Sequence, residues 1–334
     1  MPVTINGTTG ITTPNLINGS SLNFRNKIIN GNFDIWQRGT SLGSGTGARY
    51  LADRWTNGSA TTTYTPSRQA FTAGQPDVPN EPAFFHRTVV VSGGTNGSNA
   101  TLHQHIESVR TFAGKTVTLS FYAKTPTAPE NVAIEFYQYF GTTGGSPAVS
   151  IPAGSFNLTS SWQKFTVTVN IPSISSKTIG SSDDDYLTVY FWFDAGSDFG
   201  ARSSSIGYQS GTFDIAEVQV EEGSVATPFE ERPIGTELAL CQRYYQTSGT
   251  TRTGNCLRFH GNVSSGGDYA ANAWLKVQMR FVPDVVLTNS GTGVNFPATT
   301  GTPTVGDSAI VETRRADGAG GGNFNSFFKA DAEF

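Results

Sequence analysis

The chain has 334 residues, with 22 Lys and Arg against 26 Asp and Glu, giving a net charge of −4. That balance excludes the basic footprint of a nucleic-acid-binding protein, and no run of about 20 apolar residues is present to insert into a membrane. Charged residues make up 14%, against ~25% in ordinary globular domains; Gly, Thr, Ser and Asn fill the difference, a mixture suited to short strands, tight turns and a surface that meets neutral, hydroxyl-rich material.

The opening MPVTINGTTGITTPNL has no basic region followed by an apolar core, so it reads as no secretory signal. Residues 1–25 are too poor in apolar side chains to build a core and read as an extended arm for attachment to something else. Two cysteines, Cys241 and Cys256, make no disulfide framework; they read as free thiols of a protein made in a reducing cytoplasm, with a single bridge between them as the alternative.

Residues 26–232 alternate apolar and polar side chains. After Asn30–Ser59, which holds an extended run with two tryptophans interrupted by a Ser/Gly/Thr spacer, the pattern places Val117, Leu119 and Phe121 on one face. It does the same for Val132, Ile134, Phe136 and Phe140, for Phe165, Val167, Val169 and Ile171, and for Leu187, Val189, Phe191 and Phe193. Strands with one apolar face, bounded by Gly, Pro, Asn and Ser, predict an all-β, antiparallel jelly-roll sandwich. The opposite faces carry Glu135, Tyr137 and Tyr139, then Tyr190, Trp192 and Asp194, and, with Leu102 and Ile106 inward, His103, His105 and Glu107. Aromatic rings beside hydrogen-bonding groups are candidate glycan contacts, since rings pack on sugar C–H faces and polar groups bond hydroxyls. The same rings would serve equally as sheet surface covered by a loop or a partner.

His103 and His105 with Glu107 have the alternate spacing of a metal site, but with four histidines in the chain they read as solvent or interface groups. Asp183–Asp185 reads as a solvated turn. Asp34 near the first strand, and Asp214 and Glu217 near the last, are candidate ligands of a structural calcium; no other cofactor is expected.

FEERP at Phe229–Pro233 closes this unit. A short helix is predicted over Thr236–Gln246, capped by Thr236, with Leu238, Cys241 and Tyr245 on one side. A smaller β-sandwich module completes residues 233–334, with a strand through Leu275, Val277, Met279 and Phe281 and glycine-rich loops at Ser264–Asn272 and Gly318–Asn323. No nucleophile elbow, zinc-protease, P-loop or dinucleotide fingerprint occurs, so no enzyme is expected. The alternative acids for glycan cleavage are Glu107, Glu135 and Asp194.

INGNFDIWQRGTS followed by ADRW resembles the start of a module recurrent in bacteriophage tail fibres. FEERPIGTELALCQRYYQ is similar to the junction after it, MRFVPD and FKADAEF to the distal module, and ITTPNL to fibre N-termini. Within the first module, GKTVTLSFYAKTP and FDIAEVQVEEG resemble carbohydrate-binding jelly rolls. Such modules often hold calcium between their first and last strands, although a frequent Asp-Asp pair there reads Ala216-Glu217 here.

The resemblance implies a homotrimeric receptor-binding protein of the virion, whose N-terminal arm joins other tail proteins and whose host ligand is a surface glycan, lipopolysaccharide or capsule. It assigns Trp36, Arg38, Asp53, Arg54 and Trp55 to a lock tying the opening segment to the sandwich, with sugar stacking on Trp36 or Trp55 as the rival role. It places recognition toward the far end, while the residues themselves leave the tyrosine face and the distal loops as alternative contacts; trimerisation would cover Phe324, Phe327, Phe328 and Phe334. The alternatives are a virion adaptor or spacer, and a glycan-cleaving tail spike.

Overall fold

A computed structural model describes residues 4–6, 10–12, 24–126, 130–249, 256–289, 293–297 and 301–334. The chain divides into two compact units, 1–232 and 233–334. In the first, β1 (Thr4–Asn6) and β2 (Gly10–Thr12) pair as an antiparallel hairpin within the stretch expected to be an extended arm.

The sandwich strands follow as β3 (Arg49–Tyr50), β4 (Thr56–Ala60), β5 (Thr63–Ala70), β6 (Phe84–Val91), β7 (Asn99–Glu107) and β8 (Thr116–Lys124). Then come β9 (Glu130–Tyr139), β10 (Val149–Leu158), β11 (Gln163–Asn170), β12 (Tyr186–Ala195) and β13 (Gly211–Glu222). Six form one sheet in the order β10-β9-β12-β7-β4-β3, and five the other, β11-β8-β13-β6-β5. All strand pairs are antiparallel, and the chain crosses repeatedly between the sheets, so residues far apart in sequence become cross-strand neighbours.

The core is the set that the alternation picks out. Val117, Leu119, Phe121, Val132, Ile134, Phe136, Leu187, Val189 and Phe191 are fully buried and pack in one cluster. Phe165, Val167 and Val169 are only partly buried, because β11 is an edge strand with a neighbour on one side. Of Asn30–Ser59, expected to hold an extended run, Arg49–Tyr50 and the residues from Thr56 are strand, whereas 30–36 is irregular. Asn30 and Phe33 have positive φ there, and the Asn30 side chain, not a sheet ladder, satisfies the backbone of Ile35.

The second unit opens with α1 (Ile234–Gln242), which starts earlier and ends sooner than predicted. Pro233, with no side-chain acceptor, holds the N-cap position expected for Thr236. Tyr245 and Gln246 leave the helix for β14 (Tyr245–Thr247), where Tyr245 pairs with Asp331. The remaining strands are β15 (Leu257–Val263), β16 (Asp268–Trp274), β17 (Asp284–Asn289), β18 (Thr302–Val305), β19 (Ala309–Arg315) and β20 (Gly320–Asp331). Around β20 lie β14, β15 and β17, and β16-β19-β18 form a second sheet.

Residues 275–283 are not the predicted strand. Leu275 and Met279 anchor the segment in the core, but the Val277 carbonyl accepts the Gln246 side-chain amide, and Phe281 is exposed. Asp268–Asn272 and Gly320–Asn323, expected in loops, are strand residues. Phe324 and Phe328 are buried inside their own unit, so they need no neighbouring chain to cover them. Phe327 and Phe334 are half-buried, the latter beneath the Arg280 guanidinium at 3.5 Å. Cys241 and Cys256 are not joined in a disulfide.

Candidate functional site

The outer face of the six-stranded sheet gathers most of the singled-out residues, and strand register explains why. Opposite β9, β12 pairs Tyr190 with Glu135, Thr188 with Tyr137 and Tyr186 with Tyr139. Across its other edge it pairs Tyr190 with His103, Thr188 with His105 and Tyr186 with Glu107. Directly opposed residues share a face, so three rows of polar and aromatic side chains lie side by side.

The rings form a continuous strip. Tyr139 stacks on Tyr186 at 4.8 Å between centroids, Tyr186 on His105 at 4.0 Å, and His105 lies 5.2 Å from His103. The strip continues through Tyr190 at 4.7 Å from His103, with Tyr137 edge-on to Tyr190 at 6.2 Å. Tyr137, Tyr139, Tyr186, Tyr190 and His105 are half-buried, their rings packed yet reachable. The His105 ring is held by the Thr188 hydroxyl at 2.8 Å from Nδ1. Tyr186, crowded by burial and by neighbouring phenols, is pushed well above the usual range and stays neutral.

Four residues expected on an open face are instead enclosed. Trp192 is 2% exposed, and its ring meets Phe199 at 5.4 Å beneath the loop after β12, where Ile206 also packs. Glu135 is fully buried: its carboxylate accepts both Nε (2.8 Å) and Nη2 (3.0 Å) of Arg202, together with Trp192 Nε1 and the Ser150 hydroxyl. The Arg202 guanidinium also lies over Tyr137, Trp192 and Tyr190 at 4.8, 5.1 and 5.5 Å. His103 is nearly closed off, and burial, with the Arg202 charge nearby, lowers it to about 3, so it is neutral.

Asp194 departs from the alternation because a bulge between Trp192 and Asp194 sets it opposite Ala100, a core position. There its carboxylate accepts the Thr62 and Ser92 hydroxyls and the Gln209 amide. Sequence reasoning missed two participants. Tyr186 was legible, since it continues the alternation of Thr188 and Tyr190. Arg202 was not: it sits on an irregular loop 67 residues from its partner Glu135, where no period points to it.

The three expected calcium ligands do not form a ligand set, since no group of three or more His, Cys, Asp or Glu among the described residues is placed to hold a metal. Asp214 is engaged by Arg87 through Nε (2.7 Å) and Nη2 (2.8 Å), and Asp34 accepts the Asn32 amide. Glu217 lies in a bulge with φ of 44°, where burial raises its carboxyl to about 7 despite the Asn80 amide. A carboxylate already held by a guanidinium through two bonds is a poor ligand for a hard cation. Of the Asp183–Asp185 turn, Asp184 and Asp185 are not simply solvated: they accept the backbone amides of Thr142 and Val109.

The opening segment is tied down locally. Asn30 Nδ2 donates to the carbonyls of Ile35 and Asp53, its Oδ1 accepts the Ile35 amide, and Trp55 Nε1 donates to the Asn30 carbonyl. Asp53, raised by burial against the opposing effects of Gln37, Arg38 and Arg54, accepts the Gln37 amide, and Arg54 donates to the His105 carbonyl. Trp55 is fully buried, which leaves it no face for a sugar; Trp36 stacks on buried His86 at 5.8 Å.

No protein-family profile matches the sequence, and no curated protein matches it significantly. Among solved structures, a CBM4 is similar at 19% identity over 58% of this chain and 98% of that chain, with a TM-score of 0.33. The xylan-binding CBM22-2 domain of Paenibacillus barcinonensis Xyn10C is similar at 12% identity over 51% and 92%, with a TM-score of 0.34. The enzymatically active domain of bacteriophage CBA120 tailspike protein 4 is similar at 14% identity over 60% of this chain and 22% of that one, with a TM-score of 0.35.

Proposed function

We propose that this chain is a non-enzymatic adhesin that binds cell-surface polysaccharide, a bacteriophage tail-fibre protein that acts as a homotrimer. The carrying observation is the strip of half-exposed rings, Tyr139, Tyr186, His105, Tyr190 and Tyr137, on one sheet face. Each ring offers apolar area for a sugar face, while hydroxyl and imidazole groups beside it accept and donate hydrogen bonds. The rings brace one another, so little side-chain entropy remains to be lost on binding. Three such sites on one axis would turn weak single affinities into avidity. The tail-fibre role, with residues 1–25 joining other virion proteins and lipopolysaccharide or capsule as ligand, draws on the resemblance of Asn30–Thr40, Ala52–Trp55 and Phe229–Tyr245 to fibre modules.

Two of the three candidate acids are engaged in ways that disfavour glycan cleavage. Glu135 is bound to a guanidinium and Asp194 to two hydroxyls and an amide, so protein donors occupy both carboxylates. The test is adsorption of the full chain to immobilised lipopolysaccharide and capsule. Tyr139→Ala should weaken it about tenfold, equivalent to ~1.4 kcal/mol for one lost ring, without loss of fold. Unchanged adsorption, or a monomer by light scattering, would reject the reading; release of reducing ends would replace it with the enzymatic one.

A further inference from the structure

A second surface lies on the outer face of the other sheet. Register sets Lys124 opposite Asp214, Asp214 opposite Arg87, and Arg87 opposite Ser67. Trp162, one residue before β11, extends this row beyond Lys124. In the adjacent row Lys164 faces Tyr122, and Tyr122 faces Ala216. Lys124 and Lys164 are thus diagonal neighbours, about 7–8 Å apart.

Three rings close one end of the surface: Phe71, Phe85 and Trp162 meet pairwise at 4.9, 5.2 and 5.1 Å. Trp162 and Phe71 are half-buried. The Lys124 ammonium lies 4.9 Å from the Trp162 ring centre and 5.7 Å from that of Phe85. Arg87 consumes the Asp214 carboxylate through two bonds. Among the described residues no carboxylate forms an ion pair with Lys124 or Lys164. Glu217, which accepts the Asn80 amide, interacts electrostatically with Lys164 without an ion-pair contact, and burial, with Glu231 nearby, raises its carboxyl. A chain of net charge −4 therefore keeps two ammonium groups outside any ion pair, beside an aromatic cluster.

We propose that this face is a second saccharide site, separate from the tyrosine strip, that takes a carboxylate-bearing glycan. The sugar's C–H face lies against Trp162, and its carboxylate sits between the Lys124 and Lys164 ammonium groups. Ser67, Gln69 and Asn80 supply hydroxyl and amide groups within the same sheet face or its rim. A uronic-acid chain, with one carboxylate per sugar, matches two cations; nucleic acid, with one charge per ~1.7 Å of duplex, demands more. The only arginine in the row is already committed to Asp214.

The test uses the full chain, with a galacturonic acid oligomer and a neutral glucose oligomer of the same length as probes. Titration calorimetry and tryptophan emission should show binding of the acidic oligomer alone, weakened by added salt. Lys124→Gln, a surface change, should weaken it about tenfold, whereas Tyr139→Ala should leave it intact even if the tyrosine strip proves to be no glycan site. The proposal is overturned if the acidic oligomer does not bind, if Lys124→Gln binds it equally, or if the neutral oligomer competes. Preference for single-stranded DNA, or self-association that Lys124→Gln abolishes, would overturn it in favour of a nucleic acid or a second copy of the chain.

Discussion

Arg202→Met isolates the electrostatics beneath the tyrosine strip. Methionine keeps an unbranched apolar cover over Trp192, but removes the two donors that Glu135 receives from the guanidinium. Breaking a fully buried ion pair costs ~3–5 kcal/mol. Here the guanidinium side chain is 31% exposed and Glu135 keeps the Ser150 and Trp192 donors, which lowers the expected loss to about 2–3 kcal/mol. At ~2–4 °C per kcal/mol for a unit of this size, Tm should fall by roughly 4–12 °C. Calorimetry on the full chain, with the first unit's transition resolved, reads this directly.

Two further variants sharpen the result. Arg202→Ala strips the cover as well, so Trp192 emission should shift to the red, while Arg202→Met leaves it in place. Glu135→Gln combined with Arg202→Met should be less destabilised than the sum of the singles, since no buried carboxylate is then left unpaired. A loss below about 1 kcal/mol in Arg202→Met would refute the reasoning. It would mean that water reaches Glu135 and that the floor of the site is open.

Asn30→Ala removes three side-chain hydrogen bonds at a buried, positive-φ position, so denaturant unfolding should show a loss of about 3 kcal/mol or more. His86 is fully buried with both ring nitrogens unpartnered, between Phe33 and Trp36; His86→Phe keeps the ring stack and should add about 1–2 kcal/mol, an outcome reversed if a hidden partner satisfies the imidazole. Burial also lowers His86 and His103 from 6.5 to about 3. The unfolded chain therefore binds more protons in that interval, and stability present above pH 6.5 is lost as pH falls toward about 3. His86→Phe should make the Tm–pH curve shallower there. Glu217 has the opposite sign: raised from 4.5 to about 7, it contributes stability that is full below 4.5 and declines as pH rises toward about 7. Glu217→Gln should remove that decline, and an unchanged slope between these pH values would exclude Glu217 as its source.

Period-two alternation carried most of the first unit. Val117, Leu119, Phe121, Val189 and Phe191 are core because a strand's geometry sends every second side chain the same way, whatever it pairs with. The same rule set Tyr137, Tyr139 and Tyr190 on the other face without knowledge of their neighbours. It failed where a local interruption broke the count, as at the Trp192/Asp194 bulge, or where side chains replaced the ladder, as at Asn30 and Val277.

Tertiary structure alone decided which outward residues stay open. Trp192 and Glu135 are enclosed because a loop brings Phe199, Arg202 and Ile206 over them, and nothing in the local pattern of β9 or β12 encodes that loop's path. The placing of Lys124 across from an Asp214 already held by Arg87 likewise arises only once strands far apart in sequence lie side by side. Face is a property of one strand's dihedral angles. Exposure and charge pairing belong to the sum of everything packed around it.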